Sequence, residues 1–558
     1  MLKLTLICLL VLCLTTGCRS RSTFSWSQLT VTPTPGSEDM QSEAGESAAL
    51  TLSMPVNSGV LNPLTNPSEG MQELFSLCYE SVMRLNDQNQ PENWLAERVE
   101  SLEDGYRVTL RTQVLFHDGT GLTANAVVKS YKEIKASKDS PWKDTIAGIT
   151  EMKVESERVF TLKSELGYAA LFCLTFPVTS HQEENEFPAG TGPYMVTSYE
   201  QGQSMELSRF ERWWRTPAQI PAIHCIALED ENSELNTFLN GTLDVCGVNM
   251  LTVSSLSRRS GVSRQEYSTG RAELLLPNLN GELGELKLRQ ALAQVIDRSD
   301  LISNTYQNHG VSVEVPVVPD SWLAELAEGL SYDIEAANAT LYELGWEDID
   351  GDGYLEKKPE TTEEAEETPD EPEKPEEDEE DALSGIVGEK DRDNSTDEEE
   401  LTLNILTNEE ETSSHKEAAA RLAEQFKTVG VRVNVTTVPF DELQKEIDKG
   451  EYDLLLVSFY LPDDGNLSSL LSTEGENNVM GYSSQVMDEA LAALTTAGDA
   501  DVYYTAMQKV YSCILDELPV YTLCVRTATA IYGGDVSFIG TPRQGQPFRG
   551  IEQWTNIK

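Results

Sequence analysis

Leu401-Thr402-Leu403-Asn404-Ile405-Leu406 leads into a helical run from Lys416 to Val429, then Gly430, then Val431-Arg432-Val433-Asn434-Val435-Thr436-Thr437-Val438. The outer segments alternate apolar and polar side chains, the period of a strand, and the middle one spaces its apolar residues as a helix does. A glycine just past the last periodic residue stops a helix, because it takes the left-handed backbone at no steric cost. Strand, helix and strand in this order predict a right-handed crossover between parallel strands. A helix from Asp441 to Lys449 and a strongly apolar strand from Tyr452 to Phe459 continue the alternation, so this half of the chain reads as α/β. Helices over Val486–Thr496 and Val502–Leu515 and strands over Val520–Val525 and Ala528–Tyr532 finish it.

Upstream, Ala49 to Met54 alternates as a strand and Met71 to Leu85 has helical spacing. Tyr106 to Phe116 reads as strands. Thr123 then caps a helix from Ala124 to about Ile134, and Val159 to Lys163 is a further strand, which makes this part α+β. Gly190-Thr191-Gly192-Pro193-Tyr194 is a sharp turn, followed by a hairpin of Tyr194–Tyr199 and Ser204–Arg209. Glu234 to Asn240 is a short helix, and Asp244-Val245 begins a buried strand. Lys287 to Ile296 is amphipathic, with Leu288, Ala291, Leu292, Val295 and Ile296 on one face. Asp333 to Leu344 is a helix closed by Gly345.

The 558 residues carry a formal charge of −53, which argues against nucleic acid and anionic membrane surfaces as partners. The charge is unevenly spread. Glu360 to Glu400 holds 21 Asp and Glu against Lys374, Lys390 and Arg392, with few apolar residues, and reads as a disordered acidic insertion at a loop tip. Just before it, Asp348-Ile349-Asp350-Gly351-Asp352-Gly353 resembles the start of a calcium loop, but Pro359 stands where the bidentate Glu belongs. A tight Asp/Gly turn is the preferred reading, so no metal is assigned.

The first residues read as an export signal. Lys3 precedes an apolar run from Leu4 to Leu14, shorter than the roughly 20 residues a membrane-spanning helix needs. The run ends in Thr15-Thr16-Gly17-Cys18, which resembles a bacterial lipobox, with Thr15 where a larger aliphatic residue is usual. Cys18 is therefore the expected lipidation site. Arg19 to Ala48, rich in Ser, Thr, Pro and Gly, is the expected tether. Six Cys remain beyond Cys18, none in a C-x-x-C pair. Cys225 with Cys246 and Cys513 with Cys524 are near enough in sequence for disulfides, and buried free thiols are the alternative. Five scattered His, and no nucleophile, zinc or phosphate motif, give no sign of an enzyme, a metal or a cofactor.

Several short motifs in a fixed order resemble the extracellular solute-binding proteins of family 5, the oligopeptide- and dipeptide-binding lipoproteins of ABC importers. They are Leu61-Asn62-Pro63, Cys78-Tyr79-Glu80-Ser81-Val82, Trp94-Leu95-Ala96-Glu97, Phe116-His117-Asp118-Gly119 with Leu122-Thr123-Ala124, and Gly190 to Tyr194. Leu288-Arg289-Gln290-Ala291-Leu292 with Ile296-Asp297-Arg298, and Asp333 to Trp346 with Asp350 to Gly353, complete the set. The resemblance implies a periplasmic-binding-protein-like type II α/β fold, two lobes with a hinge plus an extra α+β domain. On that pattern, 1–18 is the signal, 19–48 the tether and 49–80 the start of lobe I. Residues 81–190 form the small domain, 191–275 continue lobe I, 276–520 form lobe II with the insertion at 359–400, and 521–558 return to lobe I. Gly190, Gly192, Pro193 and Tyr194 would lie near a crossover at the hinge.

It further implies a monomer on the outer face of the cell membrane, anchored by lipid at Cys18, that passes a peptide to permease subunits unaltered. In peptide binders of this family an Asp three residues after a Trp meets the ligand's amino group. Here Tyr460 replaces the Trp and Asp463 would be the acid, with Asp464 as the reserve if the register slips by one. Within the same fold, a metal chelate, a sugar or an opine remain alternative solutes, and a signalling or adhesion lipoprotein is the alternative role.

Overall fold

A computed structural model describes residues 47–180, 187–248, 261–324, 329–357, 399–409 and 414–558. The signal with Cys18, nearly all of the tether, His181 and most of the acidic insertion lie outside the described residues.

The crossover read from Leu401 onward is present. Strand Thr402–Glu409, helix His415–Lys427 and strand Arg432–Pro439 form a parallel pair in register from Thr402 opposite Arg432. Leu454–Tyr460 adds a second parallel neighbour on the other side of Thr402–Glu409. The strands of this sheet send alternate residues to two cores: Leu403, Leu454 and Leu456 to one, Leu406 and Leu455 to the other. Helices Gln485–Thr496 and Ala500–Glu517 cover the second face.

The sheet has seven strands, ordered Val245–Val248, Tyr521–Gly533, Val262–Pro277, Leu454–Tyr460, Thr402–Glu409, Arg432–Pro439, with Gly310–Val311 added on Tyr521–Gly533. Its two long antiparallel strands pass from one core into another. Ala530 and Tyr532 pack with Leu52, Tyr194 and Ile223 of the first lobe, whereas Tyr521, Leu523 and Cys524 pack with Leu292 and Leu403 of the second. The sequence reading of two strands, Val520–Val525 and Ala528–Tyr532, is corrected to one of 13 residues, Tyr521–Gly533. Its partner, Val262–Pro277, escaped the sequence reading altogether. The pairing breaks register between Ser268 and Ala272, where Gly270 takes φ +70°, open to glycine without strain.

A buried charge network sits at this break. Glu273 is fully buried, and its carboxylate meets His415 Nε2 at 2.8 Å, Arg526 at 3.2 Å and Arg271 at 3.3 Å, and accepts from the Ser458 hydroxyl at 2.9 Å. Burial alone would push this carboxyl up, but His415 and the two guanidiniums hold it below the ordinary glutamate range.

The first lobe carries a four-stranded sheet, Leu50–Pro55, Ala222–Leu228, Ser204–Arg209 and Tyr194–Glu200 in that order. The expected helix from Met71 to Leu85 ends instead at Phe75, and Met83–Leu85 is a short strand. The α+β domain is present as the sheet Ala96–Leu102, Gly105–Leu110, Val159–Ser164, Ile149–Val154 with helix Ala124–Ala136. Thr123 caps that helix, its hydroxyl accepting the Ala126 N–H at 3.3 Å. This domain packs on the second lobe through Tyr168, whose ring lies 5.7 Å from Tyr503 and 6.1 Å from Trp322, and whose N–H donates to the Ala497 carbonyl at 2.6 Å.

All six described cysteines are buried free thiols, so neither suggested disulfide is present. Asp348 to Gly353 is a turn. Asp348, Asp350 and Asp352 accept backbone N–H groups of Gly351, Asp352, Gly353 and Tyr354. Among the described residues no helix is long and apolar enough to cross a membrane.

Candidate binding site

The turn Gly190–Tyr194 joins the first lobe to the small domain and lies on neither long strand. The Gly192 N–H donates to the Cys78 carbonyl at 2.9 Å and the Tyr194 N–H to Leu77 at 3.2 Å. A Cβ on Gly190 would stand 2.0 Å from that same Cys78 oxygen, so only glycine fits. His117, beside it, donates its backbone N–H to Gly190 and places Nε2 3.1 Å from the Gly192 carbonyl. Burial pushes the His117 imidazole down to about 4.

This seam forms one end of a cavity of about 560 Å³, within the range of small-solute pockets. The first lobe supplies Phe75, Tyr79, Glu80 and Pro193, the small domain Arg84, Trp94 and Trp142, and the C-terminal return Phe548, Arg549 and Glu552. None of its lining residues comes from 276–520.

Glu80 organises the wall. Its Oε1 accepts the indole N–H of Trp94 at 2.9 Å and of Trp213 at 3.3 Å, and its Oε2 accepts the Thr191 hydroxyl at 2.7 Å and the Trp214 indole N–H at 2.9 Å. Four donors occupy both oxygens, which locks the three indoles. Trp94 in turn stacks with two guanidiniums: Arg84 lies 3.4 Å from its ring centroid and Arg215 4.8 Å.

Burial nonetheless raises the Glu80 carboxyl to about 7, against the pull of those four donors. Glu73 is raised to about 7 by burial and by Glu69 and Glu234, and Asp464 to about 6 by burial. The folded chain thus holds these protons more tightly than the unfolded one. That contribution is fully present below the ordinary carboxyl range and is lost as pH rises through 6 to 7. The melting temperature is therefore expected to rise between pH 8 and pH 5 by scanning calorimetry. Glu80→Gln should flatten the slope and cost about 1–3 kcal/mol, since the amide NH₂ leaves an indole N–H without an acceptor. A melting temperature indifferent to pH over that interval in the parent would refute the assignment.

The sequence-derived anchor residues lie elsewhere. Tyr460 is exposed at the end of its strand, and none of Tyr460, Asp463 and Asp464 lines the cavity. Asp464 is half-buried and held by its own loop: its Oδ1 accepts the Asn466 N–H at 2.9 Å, and its carbonyl accepts the Tyr503 hydroxyl at 3.1 Å. Asp463 is exposed and pairs at 3.0 Å with Arg543, in the C-terminal segment that also walls the cavity. Sequence reading missed the guanidiniums entirely. No local signal marks them, since positions 84, 215 and 549 meet only in the folded chain.

Residues 90–478 match the family described as bacterial extracellular solute-binding proteins, family 5 Middle. The oligopeptide-binding protein AppA of Bacillus subtilis is 20% identical over 491 residues, covering 82% of this chain and 83% of that protein. The structure of Bacillus subtilis AppA in complex with a nonapeptide superposes with a TM-score of 0.60 at 18% identity, over 92% of this chain and 100% of that one. NikA from Brucella suis in complex with Fe(III)-EDTA gives a TM-score of 0.70 at 18% identity, over 91% and 99%. Solved folds of this kind are periplasmic-binding-protein-like, as the crossing strands and mixed sheets are here. The match runs over well more than half of the sequence, and the chain belongs to the bacterial extracellular solute-binding proteins of family 5.

Proposed function

We propose that this chain is the capture subunit of an ABC importer, held to the membrane by lipid on Cys18, and that it takes up short peptides and releases them intact to permease subunits. The observation that carries the reading is the cavity of about 560 Å³ framed by locked indoles and guanidiniums, in a family made of binding proteins rather than enzymes. Opening and closing would bend the two long strands at the Gly270 register break. Gly190, Gly192, Pro193 and Tyr194 would hold the first lobe and the small domain together as one moving body. Asp463, exposed and outside the cavity lining, is the group we assign to the peptide's amino end, an incoming ammonium replacing the Arg543 guanidinium.

The test is mass spectrometry of ligands released from the purified protein, followed by calorimetry with trialanine. Intact short peptides should be recovered, and Asp463→Ala should weaken trialanine binding by about tenfold. Asp464→Ala should lower the melting temperature instead. Peptides recovered cut, or a released fraction without peptide, would remove the reading. One second solute class is favoured by the guanidiniums: an anionic metal chelate, the kind of ligand held by Brucella suis NikA.

A further inference from the structure

Residues Gly540 to Gly550 form a closed loop on the cavity. Its ends meet: a Cβ on Gly550 would stand 2.2 Å from the Ile539 carbonyl oxygen, and one on Gly540 2.6 Å from that of Arg549, so the neck admits only glycine. A compact loop of this length with its ends together is an Ω-loop. Inside it, the Gln546 N–H donates to the Arg543 carbonyl at 3.0 Å, and Gly545 turns the tip at φ +71°. Among the described residues, no backbone hydrogen bond joins 541–549 to any residue outside 540–551. Side chains do the fastening, one to each body. Phe548 meets the Trp554 ring edge-on at 6.5 Å in the first lobe. Arg549 pairs with Asp87 of the small domain at 2.9 Å and donates to the Asn86 carbonyl at 3.3 Å. Arg543 pairs with Asp463 of the second lobe at 3.0 Å.

Resting on the reading of this cavity as the solute site, we propose that Gly540–Gly550 is a gate on the cavity, latched to the second lobe by Arg543 on Asp463. Gly545, Gln546, Phe548 and Arg549 line the cavity, so moving the loop aside opens that wall. Phe548 and Arg549 grip the first lobe and the small domain, which the Gly190 seam keeps together. Asp463 belongs to the other lobe, so bending of the long strands at Gly270 carries it away from Arg543. The pair gives way readily. The Asp463 side chain is 56% exposed, and an ion pair open to water is a weak tie. The Arg543 Nη1 is buried without a hydrogen-bond partner, a donor that regains water when the loop lifts. The latch holds while the lobes are shut and lets go as they part, and an ammonium that takes Asp463 releases it as well.

The test is hydrogen exchange at the backbone amides between Thr541 and Arg549 in the full mature protein. Acrylamide quenching of tryptophan fluorescence reports access to the cavity, whose wall holds Trp94 and Trp142. Arg543→Gln and Asp463→Asn should each speed that exchange about tenfold and steepen the quenching. Raising sodium chloride from about 0.05 M to about 1 M should do the same in the parent, because salt screens an exposed pair. Exchange unchanged in both variants overturns the gate and leaves solute capture standing. Faster exchange with unchanged quenching also overturns it, since the loop then moves without opening the wall. If exchange and quenching both rise but calorimetry finds no trialanine binding, the peptide reading fails and the gate stands. Should a variant misfold, the salt series on the parent decides: exchange indifferent to salt overturns the gate.

Discussion

Arg289→Met is expected to bring the chain close to unfolding at room temperature, at a cost of about 4 kcal/mol or more out of the roughly 5–15 kcal/mol a domain has. Arg289 sits on the amphipathic helix Leu286–Val295, yet its side chain is buried. Its Nη2 donates to the Glu517 carbonyl at 2.6 Å and its Nε to Leu518 at 3.1 Å, the two oxygens that end helix Ala500–Glu517. Its Nη1 donates to Leu283 at 2.7 Å and Gly284 at 2.9 Å. Helix ends leave carbonyls without intrahelical partners, and a cation at a C-terminus also meets the negative end of the dipole. Methionine fills the space and satisfies none of these four oxygens. Arg289→Lys keeps the charge but not the fork, so it should fall between parent and methionine in urea denaturation. A methionine variant within about 1 kcal/mol of the parent would show that water replaces the guanidinium, and would discard this account.

Glu273→Gln is the second large effect, about 3–5 kcal/mol, because it removes the buried anion that Arg271, Arg526 and His415 all face. Its consequence for pH runs opposite to that of Glu80. The Glu273 carboxyl lies below its ordinary value when folded, so its stabilisation is present above that value and fades as pH drops through the folded one. Together the two trends place the stability maximum in mildly acidic solution, falling on the alkaline side as Glu73, Glu80 and Asp464 ionise and on the acid side as Glu273 is protonated. Glu273→Gln should erase much of the acid limb in a series of urea titrations across pH. It should also loosen the joint where the long strands break register, read as faster hydrogen exchange around Ala272 and Val525. An unchanged acid limb would discard the role given to Glu273.

The second lobe was legible because its elements obey one period each: Leu403 and Ile405 face one core, and Ala418, Ala419, Leu422 and Phe426 line one stripe of their helix. The crossing strands were not. Val262–Pro277 runs through Ser263, Arg264, Gln265 and Glu266 after its first residue, since its first half is at most partly buried and pairs through backbone groups. Arg526 and Thr527 looked like a gap between two short strands, although Arg526 answers Glu273 and Thr527 bonds Glu266 across the pair. The helix from Met71 stopped early because the Cys78 carbonyl is needed by Gly192, a contact more than a hundred residues away. The binding wall failed for the same reason. Glu80 stood in a quoted motif, but its meaning comes from Trp94, Trp213 and Trp214.

Strand Tyr521–Gly533 lies inside the largest sheet, and beyond it the Ala48 N–H donates to the Asn556 carbonyl at 2.7 Å. A nascent polypeptide still lacking that stretch has neither the Ala530 and Tyr532 that pack into the first body nor the Tyr521, Leu523 and Cys524 that pack into the second. Pairings of such long sequence separation are slow to form. Those two bodies are therefore completed only after residues 521–533 have been made.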